Sequence, residues 1–362
     1  MRVLIAPDKF AGTLTSLEAA EAIATGWAEH APDDELDLCP MADGGPGFVD
    51  VLHAALGGEL LAVTVRGPFD SPTPATILGV GDTFYVESAQ ACGRDLVGGR
   101  DAERANTYGV GELLARAVDA GARTVVVGLG GSGTNDGGAG LLAALGAVGD
   151  EPLDQGVAGL IGLSTLDLSG AADRVDGVRL VVASDVDTVL TGLFGATKTF
   201  GPQKGISEER LVAVDAILTE YAAVAGRRMA LEKGAGAAGG LGFALMLLGA
   251  TRTPGIELVA DAVGLAERAR RADLVITGEG AFDFSSRSGK VPHGVATIAG
   301  EALRPCVALA GQVMIGAREM RALGIESAYS VVDLVGAGPA FAEPGPSLAQ
   351  LARRVARSWS PQ

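Results

Sequence analysis

The stretch Val125-Val-Val-Gly-Leu-Gly-Gly-Ser-Gly-Thr-Asn-Asp-Gly-Gly-Ala-Gly-Leu-Leu-Ala-Ala-Leu145 decides the fold. Its β-branched apolar opening reads as a buried strand. Glycines then break the chain from Gly128 to Gly140, with Ser132, Thr134, Asn135 and Asp136 among them. Leu141, Leu142 and Leu145 close the stretch with the spacing of a helical apolar face. Strand, glycine-rich turn and helix together aim backbone N–H groups and a helix N-terminus at an anion. A tight turn between two buried elements is the plainer reading, but so many polar side chains are costly to bury without partners.

Outward from this stretch the chain alternates strand and helix. Val3 to Ala6 reads as a first strand, stopped at Pro7. Thr15 and Glu18 form a capping box opening a helix with Leu17, Ala20, Ile23, Ala24 and Trp27 on one face. A short strand, Leu36 to Cys39, leads through Pro40-Met-Ala-Asp-Gly-Gly-Pro-Gly47 into a helix at Phe48 to Leu56. The rhythm then changes. Leu60 to Val65, Ala75 to Val80 and Thr83 to Glu87 alternate as an antiparallel patch. From Ala272 the βα grammar returns with strands at Asp273 to Thr277, Cys306 to Ala310 and Tyr329 to Val332.

Two strands at the start and three at the end fit one five-stranded parallel sheet with the middle of the chain inserted. The expected fold class is therefore α/β, a discontinuous flavodoxin-like parallel-sheet domain with a second, inserted α/β domain. The boundaries fall at 1–60 and 271–362 for the first domain. The inserted domain takes 61–270 and carries the Gly-rich 128–140 loop.

Composition narrows the function. The chain has 362 residues, 48% of them hydrophobic and 20% charged, and a formal net charge of −16. That charge repels nucleic acid and anionic membrane, and no basic patch offsets it. A small anion in a lysine-lined cleft remains compatible, because distant charges are screened. Cys39, Cys92 and Cys306 form no CxxC pair and read as free thiols of a reducing compartment. Gly234 to Thr251 is uncharged but too rich in Gly and Ala for a membrane span. A cytoplasmic protein binding neither nucleic acid nor membrane is expected, with a homodimer left open.

Acidic residues recur beside glycines at element ends: Asp43-Gly-Gly, Asp136-Gly-Gly and Gly278-Glu279-Gly280. Lys9, Lys204 and Lys290 lie in Gly- or Pro-rich loops. Acids and cations in one cleft suit phosphoryl transfer, whose catalysis is mostly positioning and charge neutralisation. Asp185 and Asp187 follow a strand two residues apart, where extended chain would give them a common face for Mg²⁺. A solvated turn is the competing reading. A Walker A loop and the protein-kinase signatures are missing from the sequence. Gly128-Leu-Gly-Gly-Ser-Gly133 also matches a dinucleotide fingerprint, with Asp150 near the ribose-acid spacing. A nicotinamide oxidoreductase is thus one rival, and a non-catalytic anion-binding protein another.

Taken in order, seven blocks resemble the class I glycerate kinases. They are Ala6-Pro-Asp-Lys-Phe-Ala-Gly-Thr-Leu14, Pro40-Met-Ala-Asp-Gly-Gly45, Gly128-Leu-Gly-Gly-Ser-Gly-Thr-Asn-Asp-Gly-Gly138, Ser184-Asp-Val-Asp187, Phe200-Gly-Pro-Gln-Lys-Gly205, Gly234-Ala-Gly-Ala-Ala-Gly-Gly-Leu-Gly242 and Val275-Ile-Thr-Gly-Glu-Gly280. The resemblance implies transfer of the ATP γ-phosphoryl group to D-glycerate, usually giving 2-phosphoglycerate, at a site between a flavodoxin-like and a second α/β domain. Four places depart from the family pattern: Ala11, Pro46, Thr188-Val189 and the residues after Asp283.

On this reading Asp185, Asp187 and Lys204 are the catalytic set, the two aspartates also holding Mg²⁺. Asp8, Lys9, Asp43, Gly130, Gly131, Ser132, Thr134, Asn135, Asp136, Glu279 and Lys290 bind substrate or phosphate. The co-substrate is ATP with Mg²⁺, and the acceptor is glycerate or a related hydroxy acid.

Overall fold

A computed structural model describes residues 1–10, 12–283 and 290–360. Its strands are β1 (Arg2–Pro7), β2 (Glu35–Leu38), β3 (Glu59–Arg66), β4 (Pro72–Val80), β5 (Thr83–Glu87), β6 (Thr124–Gly128), β7 (Val148–Gly149), β8 (Leu166–Asp167), β9 (Arg179–Ala183), β10 (Thr251–Thr253), β11 (Leu274–Phe282), β12 (Cys306–Val313) and β13 (Ser327–Ser330). The chain divides into two compact units. The first is Met1–Asp43, Asp50–Leu56 and Ile256–Gln362, and the second is Gly44–Val49 and Gly57–Gly255.

The first unit is built on a five-stranded sheet in the order β13-β12-β11-β1-β2, every pair parallel. Counted within this unit alone, that is the flavodoxin order, with the topological switch between β1 and β11. Val3, Leu4, Ile5 and Ala6 are all fully buried, as a strand covered on both faces requires. The helix Ser16–Ala28 begins with the expected capping box, Thr15 and Glu18 each accepting from the other's backbone N–H. It packs against the helix Pro344–Trp359, burying Ile23, Trp27, Leu348, Leu351 and Val355. Gly26 allows that approach, since a Cβ there would lie 1.9 Å from the Ala349 carbonyl oxygen.

The second unit holds a six-stranded sheet in the order β10-β9-β6-β5-β4-β3. β3, β4 and β5 are antiparallel, as expected of the alternating segments. They continue into parallel β5–β6, β6–β9 and β9–β10 pairs. The central stretch is β6, its glycine-rich bend and a helix of one and a half turns, Ala139–Ala144. Val127, Leu141 and Leu142 belong to the core of this unit.

The division differs from the expected boundaries at both ends. Helix Leu265–Arg271 counts with the first unit, where Arg268 donates to Asp37 at 2.8 Å and to the Leu38 carbonyl at 3.1 Å. Gly44–Val49 counts with the second, because the buried Glu87 carboxylate accepts from the Gly47 and Val49 N–H groups. Both ties join residues far apart in sequence, so the βα rhythm carries no trace of them.

All three cysteines are free and buried. Among the described residues, no helix is long and apolar enough to cross a membrane.

Candidate active site

Each unit carries one cluster of functional side chains. In the first, β1 and β11 run side by side and release Asp8 and Glu279 at neighbouring carboxyl ends, where open α/β sheets bind ligands. The Asp8 N–H donates to the Gly278 carbonyl at 2.8 Å, which fixes the exit of the chain. Lys9 Nζ lies 3.6 Å from Asp8 Oδ1 and 3.7 Å from Asp43 Oδ1. Lys290 Nζ lies 3.7 Å from Glu279 Oε2. Asp8 is 6% exposed and Glu279 5% exposed. Five residues expected to touch substrate are thus brought together: Asp8, Lys9, Asp43, Glu279 and Lys290.

Their electrostatics are uneven. Burial pushes the Asp8 carboxyl up to about 6. The Lys9 and Lys290 ammoniums draw it back, and the Asp43 carboxylate pushes it further up. A carboxyl titrating near neutrality is a proton acceptor matched to work at physiological pH.

In the second unit, Lys204 stands behind the glycine-rich bend. It lies in a short turn, Pro202–Lys204, closed by Gly205 in the left-handed region at φ 98°. Its ammonium is buried, and donates to Ser132 Oγ at 3.0 Å and to the Thr134 carbonyl at 2.6 Å. Burial pulls its pKa down to about 8, partly opposed by Cys92 and Asp136 and helped by Arg94. Asn135 is buried and donates from Nδ2 to Thr197 Oγ1 at 2.9 Å, while its Oδ1 has no partner among the described residues. Pro46, one of the departures from the family pattern, packs on this bend. A Cβ on Gly131, which sits at φ +69°, would meet the Pro46 ring at 2.7 Å.

The expected anion at the helix N-terminus is supplied by the protein itself. Asp136 accepts from Thr107 N and Oγ1, from Gly138 N and from Gly140 N at 2.8–3.3 Å. Gly137 N donates to the Gly239 carbonyl, and Gly133 N to the Cys92 carbonyl. The N–H groups of Gly133, Gly137 and Gly138 are therefore spent inside the fold. Asp136 is a buried staple between the bend and the Thr107 segment. Burial raises its pKa, against the four donors. Thr107, twenty-nine positions upstream, gives no local sequence signal for this role.

Asp185 and Asp187 do not share a strand face, because β9 ends at Ala183 before either residue. Asp185 is half-buried, whereas the Asp187 side chain is 59% exposed. Asp187 Oδ1 pairs with Arg252 at 2.7 Å and Oδ2 with Lys233 at 3.3 Å. With a cation on each oxygen, Asp187 does not fit a magnesium clamp. No group of three or more His, Cys, Asp or Glu among the described residues gathers as a metal site either. Thr188 and Val189 spend their carbonyls on Gly236 and Ala196. Of the other departures, Ala11 and the residues Phe284 to Ser286 lie outside the described residues.

The dinucleotide reading fails on Asp150. Its carboxylate accepts from Ser164 N and Oγ and from Thr165 N, which holds its pKa well below the usual carboxylate range. The strand expected before a ribose acid is only β7, paired antiparallel with β8.

The family model described as the glycerate kinase family matches residues 3–360. The chain belongs to the glycerate kinase family. As a member it is an enzyme, a phosphotransferase with an alcohol group as acceptor. It is 39% identical to the glycerate kinase of Bacillus subtilis over 99% of this chain and 97% of that one. It is 39% identical to the glycerate 2-kinase of Escherichia coli over 93% and 92% of the two chains. Among solved structures, a putative glycerate kinase 2 from Salmonella typhimurium superposes with a TM-score of 0.80. That pair is 37% identical, and the match covers 99% of this chain and 98% of the other.

Proposed function

We propose that this glycerate kinase phosphorylates the 2-hydroxyl of D-glycerate with ATP. One observation carries the reading: a buried carboxyl with a pKa near 6, Asp8, beside the ammoniums of Lys9 and Lys290 at the ends of two parallel strands. Lys9 and Lys290 neutralise the glycerate carboxylate. The 2-hydroxyl is bonded to the carbon next to that carboxylate, so it is the hydroxyl held nearest the lysines. Asp8 accepts its proton as the oxygen attacks the γ-phosphorus. The bond from that phosphorus to the ADP oxygen breaks, and the electron pair leaves with ADP. Glu279 holds Lys290, and Asp43 holds Lys9, in register for this.

In the second unit, Lys204 and Ser132 bind phosphate oxygens, with Gly130, Gly131, Thr134 and Asn135 shaping the bend around them. A buried ammonium and a fixed hydroxyl hold a phosphate without reorganising. Magnesium bound with the nucleotide phosphates would supply charge neutralisation there.

ADP release coupled to a reporter, with D-glycerate as acceptor, tests the activity. Phosphorus NMR of the product tests the position. 2-Phosphoglycerate is expected. 3-Phosphoglycerate, or turnover only with another hydroxy acid, would contradict the assignment.

A further inference from the structure

We propose that a cavity in the first unit, at the carboxyl ends of β11 and β12, takes the adenine ring of the nucleotide; this rests on the reading that the enzyme uses ATP. The cavity has a volume of about 180 Å³. Its walls are Phe10, Val331, Val332, Phe341 and Leu348, and its floor is the paired backbone of Gly280–Ala281 and Gly311–Gln312. Among the described residues no charged side chain lines it, and Thr13 and Gln312 are its polar side chains.

Size and chemistry choose the occupant. Pockets for drug-sized ligands run to roughly 300–1,000 Å³, so this one holds part of a ligand. An uncharged apolar slot rejects the glycerate carboxylate, which would lose its hydration and gain no cation. A flat heteroaromatic ring gains from the same walls. Phe341 stands at the cavity with 62% of its surface exposed, while Phe10, Val331 and Leu348 are buried. An aromatic face left open beside a buried apolar floor is a stacking platform for a base.

Chain continuity places the cavity beside the charged cluster. Phe10 directly follows Lys9, and Gly280 directly follows Glu279. Successive Cα atoms are about 3.8 Å apart, so the apolar cavity and the charged cluster share two strand ends. A base in the cavity therefore lies within a residue or two, along both chain segments, of the charged cluster.

The test compares the wild type with Val332→Phe, which fills the slot, and Phe341→Ala, which removes the exposed ring. KM for ATP and KM for D-glycerate are measured separately, and adenosine binding is followed by ligand-observed NMR. Val332→Phe is expected to raise KM for ATP about tenfold or more, and Phe341→Ala about fivefold, the range that base–aromatic stacking gives. KM for D-glycerate is expected to stay within about twofold in both, because the cavity holds no group for it. Adenosine should bind the wild type and be lost from Val332→Phe. Unchanged KM for ATP in folded variants, equal changes in both KM values, or no adenosine binding to the wild type would overturn the proposal. Phe341→Ala alters an exposed residue and decides the question should Val332→Phe fail to fold. A wild type inactive on D-glycerate that still binds adenosine here would sink the 2-kinase reading and uphold the base site.

Discussion

Lys204 donates to the hydroxyl of Ser132 at 3.0 Å across seventy-two residues of chain, with its ammonium shut away from water. A lysine so placed is held, and its third proton is aimed by the other two hydrogen bonds. Lys204→Met is expected to lower kcat/KM by about 10²-fold or more, the loss of one buried phosphate donor. Lys204→Arg does not rescue it, since a planar fork cannot copy a point donor between Ser132 and the Thr134 carbonyl. Steady-state kinetics check both.

The same burial sets an alkaline limit. With its pKa pulled down to about 8 from 10.5, Lys204 loses its charge as pH rises past 8, and phosphate binding weakens. Stability moves the other way. Between pH 8 and 10.5 the unfolded chain binds more protons than the folded one, so this group's contribution to folding improves with pH. Affinity for ADP measured from pH 7 to 9.5 should fall while Tm, corrected for other groups by Lys204→Met, does not fall with it.

Asp136 is expected to answer as a structural residue. Asp136→Ala leaves the Gly138, Gly140 and Thr107 N–H groups buried without an acceptor, at about 1–3 kcal/mol each before relaxation. Loss of at least about 3 kcal/mol in urea unfolding is expected, with activity falling in step with the folded fraction.

Asp187 gives the contrast. Its pair with Lys233 is exposed and worth about 0–1 kcal/mol, and its pair with the half-buried Arg252 ends on a carboxylate that is itself exposed. Asp187→Asn should change kcat/KM by less than about threefold, a factor worth about 0.6 kcal/mol.

These contrasts show where the sequence was legible. Strand β1 and its neighbours announced themselves through runs such as Val3 to Ala6, because burial on both faces needs unbroken apolar residues. The cluster of Asp8, Lys9, Asp43, Glu279 and Lys290 was visible as acids and lysines in loops after strands, since parallel strands deliver their carboxyl ends to one edge. The distant partners of Asp136 and Asp187 were not legible, for one reason. Their partners, Thr107, Arg252 and Lys233, lie far off in sequence, and only folding reveals that a carboxylate is already satisfied. The sequence puts Asp8 among the binding residues only, because nothing in Pro-Asp-Lys foretells how deeply the aspartate is buried.

That burial is the centre of the account. Between pH 3.8 and about 6 the folded chain holds a proton on Asp8 that the unfolded chain releases, so this group's contribution to stability is present at low pH and lost as pH rises. Catalysis needs the ionised form that folding disfavours. The measurement that tests this most directly is kcat/KM against pH for the wild type and Asp8→Asn. The wild type should rise to a plateau with an apparent pKa near 6. Asp8→Asn should lose about 10²–10⁴-fold, show no such rise, and unfold at or above the wild-type temperature near pH 7. A variant that keeps its activity and the same acid limb would contradict Asp8 as the proton acceptor.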